Sequence, residues 1–242
     1  MGLFFGYGAI LQLLAIVHFL RRRPDTYWIF IIIFGGALGA LVYLVVEALP
    51  DRELFADSFR VFGRRKRIRE LEDAVAVNPS AGNYEELAGL YLDDGKYARA
   101  KDCFDKAISS RPDSLDPFYR RGICEHMLGD LAAAVPDLER VVRAQPKYDL
   151  YRAAGLLAHA YARTGQADKA NGLFQDVTSV STLSETQYNY AEFLASQNRT
   201  AEAREWAQRL LAKTRGMPGF QRRRDRPWLR RAKALLSRLP PG

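Results

Sequence analysis

Two charge-free apolar runs open the chain. Residues 2–20 carry no charge, and Gln12 and His18 are their strongly polar side chains. Arg21, Arg22, Arg23, Pro24 and Asp25 follow, and residues 28–46 form a second charge-free run, WIFIIIFGGALGALVYLVV. As a helix, each run covers about 28 Å, the hydrocarbon thickness of a bilayer. Tyr27 and Trp28 stand at one edge of the second run, where interfacial aromatics are expected. The pattern predicts two transmembrane helices joined by a short basic turn. The first run lacks a positive leading segment and a small-residue cleavage site, so a retained helix is expected rather than a signal peptide. Gly35 and Gly39 would let the two helices approach closely. Beyond residue 50 the pattern changes: apolar positions recur at helical spacing, punctuated by Gly, Asn and Pro.

That second pattern repeats. Gly95 and Gly129, Ala100 and Ala134, Ala107 and Val141, and Pro112 and Pro146 are each 34 residues apart. The first unit, 81–114, carries Tyr84, Leu87, Ala88, Tyr91, Gly95, Ala100, Phe104, Ala107 and Pro112. The second, 115–148, keeps Phe118, Gly122, Gly129, Ala134, Leu138, Val141 and Pro146 but has charged Arg121 and Glu125 at apolar slots, and Pro136 inside its second helix. The third starts near Tyr151 after a two-residue slip and carries Leu157, Ala158, Tyr161, Gly165, Ala170 and Phe174. The fourth, from Ser184, has Tyr190, Ala191, Leu194, Ala203 and Leu210, with Asn198 in the glycine slot. Gly or Asn there supplies a left-handed residue that ends the first helix of each pair. Small residues fit where paired helices touch, and large ones fill the space between pairs. This residue set resembles the tetratricopeptide repeat. The resemblance implies an all-α, right-handed helical solenoid whose first helices line a concave, partner-binding groove. Stacked pairs need polar caps. Residues 226–239 are amphipathic and predict a C-terminal capping helix, and 64–77 predict a lone lead-in helix. The expected division is a two-helix anchor at 1–50, a basic linker and lead-in helix at 51–80, about four repeats at 81–214, and a basic cap and tail at 215–242.

The head, with Arg21, Arg22, Arg23, Trp28, Gly36, Gly39, Tyr43 and Glu47, is similar to the membrane hairpin preceding the catalytic domains of bacterial phospholipase-D-type cardiolipin synthases. That chemistry needs a His-x-Lys-x4-Asp motif, and the chain has none. The resemblance implies an anchor and not lipid synthesis.

Composition narrows the function further. Two cysteines and three histidines disfavour a disulfide scaffold, a zinc module and a metallohydrolase. Phosphate loops, nucleophile elbows, His-Glu-x-x-His and EF-hand spacings are missing from the sequence. No catalysis, cofactor or metal is expected. The net charge of +8 is unevenly spread. Residues 71–212 carry 16 bases and 21 acids, or −5, whereas 213–242 carry 10 bases and one acid, or +9. The basic surface comprises Arg64, Arg65, Lys66 and Arg67 in the linker and Arg222, Arg223, Arg224, Arg230 and Arg231 near the C-terminus.

The resemblance places Glu85, Leu92, Tyr119, Ile123, His126, Arg152, His159, Tyr188 and Glu192 along the groove. Aromatics, both charge signs and interspersed glycines (Gly89, Gly155) suit an extended peptide or a helix. The expected function is a scaffold or adaptor that recruits a protein partner to the bacterial inner membrane, multi-pass, with its body on the cytoplasmic side. Two alternatives stay open: an accessory subunit assembling through the hairpin, and contact of the basic C-terminal run with anionic lipid or nucleic acid. No groove-reading motif is present, so a nucleic-acid partner is not expected.

Overall fold

The computed structural model describes residues 2–22, 26–48 and 52–240, with side chains described at 8–20, 26–46 and 63–240. Two compact units emerge, Met1–Arg67 and Ile68–Gly242. All regular elements among the described residues are helical.

In the first unit α1 spans Gly2–Arg22, α2 spans Tyr27–Phe34 and α3 spans Gly36–Tyr43, ending in a π turn at Leu44–Ala48. The second apolar run is therefore not one helix. Gly36 takes φ +54°, which breaks the run into two helices of 8 residues each. Eight residues rise about 12 Å, well short of a bilayer core of about 30 Å. The glycines serve this break. A Cβ on Gly35 would meet the Ile31 carbonyl oxygen at 2.5 Å, and one on Gly39 would meet it at 2.0 Å. They accommodate a bend within the run rather than an approach between two spans. Ala15, Trp28, Ile32, Ala40 and Tyr43 form a small buried cluster. Gln12 Nε2 donates to the Ile32 carbonyl at 2.9 Å, and His18 Nδ1 and the Tyr43 hydroxyl lie 2.8 Å apart. Among the described residues no helix is long and apolar enough to cross a membrane. That finding overturns the expected transmembrane hairpin and the multi-pass inner-membrane localisation. The linker expected to follow is continuous helix, α4, Arg52–Val77.

The second unit is a stack of helix pairs. They are α5 (Ala81–Asp93) with α6 (Tyr97–Ser110), α7 (Leu115–Leu128) with α8 (Leu131–Ala144), α9 (Arg152–Arg163) with α10 (Ala167–Val180), and α11 (Ser184–Ser196) with α12 (Thr200–Ala212). A 3-10 turn at Lys213–Gly216 leads to α13, Gly219–Arg238. Between the members of each pair the chain reverses at a left-handed residue: Gly95 (φ 70°), Gly129 (83°), Gly165 (80°) and Asn198 (62°). Ser80 caps α5 through the Asn83 amide at 3.3 Å, and Asp130 caps α8 through the Ala133 amide at 3.2 Å. Pro136 sits on the exposed side of α8 and the helix continues to Ala144. The cap starts at Gly219 rather than Arg226 and carries Pro227 in its interior.

Ala88, Ala100, Ala134, Ala158, Ala170, Ala191 and Ala203 are nearly or fully inaccessible, where helices cross closely. Phe104, Leu138 and Phe174 fill the spaces between them, all at 0% exposure. Phe174 stacks on Tyr190 at 5.1 Å and meets Phe193 at 5.7 Å, which ties the third pair to the fourth. Ile68 and Leu71, late in α4, are buried with Leu87, Ala88 and Tyr91, and so cover the first pair. Leu229, Ala232 and Leu235 of α13 are buried with Tyr188, Ala207 and Leu210, and so cover the last. Cys103 and Cys124 are buried thiols, and burial pushes Cys124 up to about 12.

Candidate functional site

Each second helix packs on its own first helix and on the next, while α5, α7, α9 and α11 also pack on one another in sequence. This asymmetry curves the stack, and the first helices share its inner face. Several polar side chains on or beside that face are already paired within the protein. Arg111 donates to Glu85. The Tyr119 hydroxyl donates to Asp149 and the Tyr148 hydroxyl donates to Asp116 at 2.9 Å, with the two tyrosine rings 4.9 Å apart. Arg152 Nε donates to Glu185 at 3.1 Å. Tyr188 donates to Glu192 at 2.8 Å.

The expected groove residues fall into two groups. Leu92, Ile123, His126, Arg152, His159 and Glu192 are half-buried, as is Glu85. Tyr119 and Tyr188 are buried at 6% and 4% exposure, and the ring of Tyr188 lies 5.8 Å from Trp228 of the cap. Gly155 does not open space in the groove. A Cβ there would meet Thr186 Oγ1 at 2.4 Å, so this glycine lets α9 pack against α11. The spacing of the repeats alone did not single out Asp116, Tyr148, Asp149 or Glu185. One signal was present: the two-residue slip before the third unit. It corresponds to three successive residues with positive φ, Asp149 (46°), Leu150 (52°) and Tyr151 (68°). None is glycine, and each such residue costs about 1–2 kcal/mol. The bond from Tyr119 to Asp149 helps hold this turn in place. Asp149, Leu150 and Arg152 border a cleft of about 380 Å³ together with Glu185, Asp225 and Trp228.

At the centre of the inner face His126 Nε2 and His159 Nδ1 are 2.8 Å apart, in one hydrogen bond. Burial lowers His126, and burial followed by the neighbouring His126 pushes His159 down to about 4. Both rings are neutral at pH 7. One proton is shared between them, and either tautomer leaves one N–H donor and one bare nitrogen, at His126 Nδ1 and His159 Nε2. Neither of those atoms has a partner among the described residues.

The basic residues divide as well. Arg64, Arg65, Lys66 and Arg67 lie on α4 within the first unit. Arg222, Arg223 and Arg230 line a cleft at the C-terminal cap, while Arg224 turns to Asp225 at 3.0 Å and Arg231 stacks on Trp228 at 4.8 Å. Among the described residues no group of His, Cys, Asp and Glu could hold a metal ion.

A family model for the tetratricopeptide repeat matches residues 85–149 and 152–218, and the chain belongs to that family. Such repeats are typically non-catalytic protein-interaction scaffolds. Over 101 residues the chain is 32% identical to human DnaJ homolog subfamily C member 3 and 31% identical to the Bos taurus protein, covering 42% of this chain in each case. It spans only 20% of the length of those relatives. Among solved structures, a MamA fragment from Desulfovibrio magneticus RS-1 superposes with a TM-score of 0.60 at 21% identity, over 69% of this chain and 95% of that one. YrrB, described as a tetratricopeptide-repeat protein with an unusual peptide-binding site, superposes with a TM-score of 0.56 at 23% identity, over 63% and 79%. These likenesses establish the fold.

Proposed function

We propose that the chain is a scaffold that holds a segment of a protein partner in extended form against the inner face of α7, α9 and α11. The observation that carries this reading is the His126–His159 pair. Its outward valences, one donor and one acceptor, match the C=O and N–H of a peptide backbone. Ile123, one turn before His126 on α7, supplies half-exposed apolar contact, Leu92 adds more farther along on α5, and Arg152, Glu85 and Glu192 supply charge of both signs for side-chain selection. Pre-paired charges lose little freedom when a ligand arrives. The strained turn at 149–151 borders the same face, and strain of this kind gathers at ligand sites. The peptide-binding site described for YrrB is consistent with such a role.

The test is a peptide-display selection on the purified chain, followed by calorimetry of the selected peptides. His126→Ala with His159→Ala should weaken their binding at least tenfold while helicity is unchanged. Selected peptides that bind the double variant as tightly as the parent chain would refute the inner-face assignment.

A further inference from the structure

Away from the inner face, the 3-10 turn and α13 enclose a cleft of about 850 Å³ whose lining includes six cations, Arg215, Arg222, Arg223, Arg226, Arg230 and Lys233, and no carboxylate. Arg222, Arg226, Arg230 and Lys233 recur at helical spacing, so they form one stripe along α13. Arg215 of the turn and the apolar Leu211 and Leu229 also line the cleft.

Two observations separate this cleft from an ordinary solvated basic face. First, the acid of the segment is committed elsewhere: Asp225 is buried and accepts from Ser184 Oγ at 2.7 Å and Arg224 Nε at 3.0 Å. Second, one wall is preset. The Arg222 guanidinium donates to the carbonyls of Thr214 and Met217 at 3.1 and 3.3 Å, which holds it at the cleft edge. Arg215, Arg223, Arg226, Arg230 and Lys233 have no carboxylate partner among the described residues. A concave site crowded with like charge is relieved by an anion.

We propose that this cleft binds clustered phosphate groups, supplied either by a polyphosphate free in solution or by adjacent headgroups of an anionic lipid. Guanidinium forks match phosphate oxygens in pairs, and lysine adds a point charge. No aromatic side chain lines the cleft, so it offers no platform for stacking the bases of a nucleic acid. The site is independent of the peptide-binding reading.

The experiment is calorimetry of the full chain with inorganic tripolyphosphate, beside flotation with phosphatidylcholine vesicles with and without phosphatidylglycerol. The cleft variant combines Arg223→Ala, Arg226→Ala and Arg230→Ala. A charge-matched control combines Arg143→Ala, Lys147→Ala and Arg163→Ala, all exposed and outside the cleft. Saturable tripolyphosphate binding should weaken at least tenfold in the cleft variant, about 1.4 kcal/mol, and less than twofold in the control. Binding of phosphatidylglycerol vesicles alone, lost in the cleft variant only, assigns the headgroup as the source. Arg226→Glu provides a single-site check should the triple variant lose helicity. Equal losses in both triple variants, no binding of either probe, or tighter binding of hexaglutamate than of tripolyphosphate would overturn the proposal.

Discussion

Glu125 occupies an apolar slot of the second repeat, and its ionisation should set how stability depends on pH. Its carboxyl is buried at 4% exposure, and Oε2 has no hydrogen-bond partner among the described residues. Around it, Arg121 donates to both oxygens of Asp137 at 2.6 and 2.7 Å and to Asp105 at 2.7 Å, and Lys101 donates to Asp105 at 3.0 Å. Two cations therefore face three carboxylates, and the unbonded one takes the extra proton. Burial, and then the Asp137 charge, raise Glu125 from 4.5 to about 7. The folded state thus keeps a proton that the unfolded chain loses above pH 4.5. Stability is full below that value and falls as pH rises through 7. At about 1.4 kcal/mol per unit the ceiling is about 3 kcal/mol. The cluster is partly wetted at Arg121 and Asp105, so about 1–3 kcal/mol is the expected span. Glu125→Gln keeps the shape and removes the charge. Urea unfolding of both proteins at pH 5, 6, 7 and 8 should show nearly equal stability at pH 5 and a glutamine advantage of about 1–3 kcal/mol at pH 8. Equal denaturant slopes license the comparison, because repeat arrays can unfold in parts. Taking the difference cancels the histidines, which titrate alike in both proteins. A gap that does not change with pH, or a less stable glutamine variant at pH 8, would refute the reasoning.

Further predictions follow from the same packing. Arg121→Met should cost about 3–5 kcal/mol in urea unfolding, because it leaves Asp137 buried without its cation; adding Asp137→Leu should recover much of the loss. Gly155→Ala drives a Cβ toward Thr186 Oγ1 and should lower stability by about 1–3 kcal/mol, with partial relief from Thr186→Ala, as read in thermal melts. His159, held at about 4 against 6.5 when unfolded, contributes stability that is present above pH 6.5 and lost as pH falls through 4. His159→Gln should therefore flatten the acid limb of the stability profile, and an unchanged limb would place the titration elsewhere.

The chain's own spacing determined the repeats, because the features that carry them are local. A left-handed residue is needed wherever two helices reverse in a short turn, and Gly95, Gly129, Gly165 and Asn198 mark those turns whatever surrounds them. Alanine where helices cross, and Phe104, Leu138 and Phe174 between them, follow from helical period alone. Hydropathy along residues 28–46 misled for the opposite reason. A window average weighs side chains and is blind to backbone, so it passed over the break that Gly35 and Gly36 permit. The two-residue slip after Tyr148 was visible, but the turn it makes depends on where Tyr119 lies, 30 residues earlier. The same limit applied to the charged groups. Arg121 and Glu125 read as intrusions into an apolar pattern, and only the approach of α6 and α8 supplies Asp105 and Asp137. Likewise, five arginines read as one basic surface near the C-terminus, and the folding of the 3-10 turn against α13 decided which of them share a cleft. Periodicity encodes which face of a helix is buried; the identity of the group across the interface is set by packing between residues far apart in the chain.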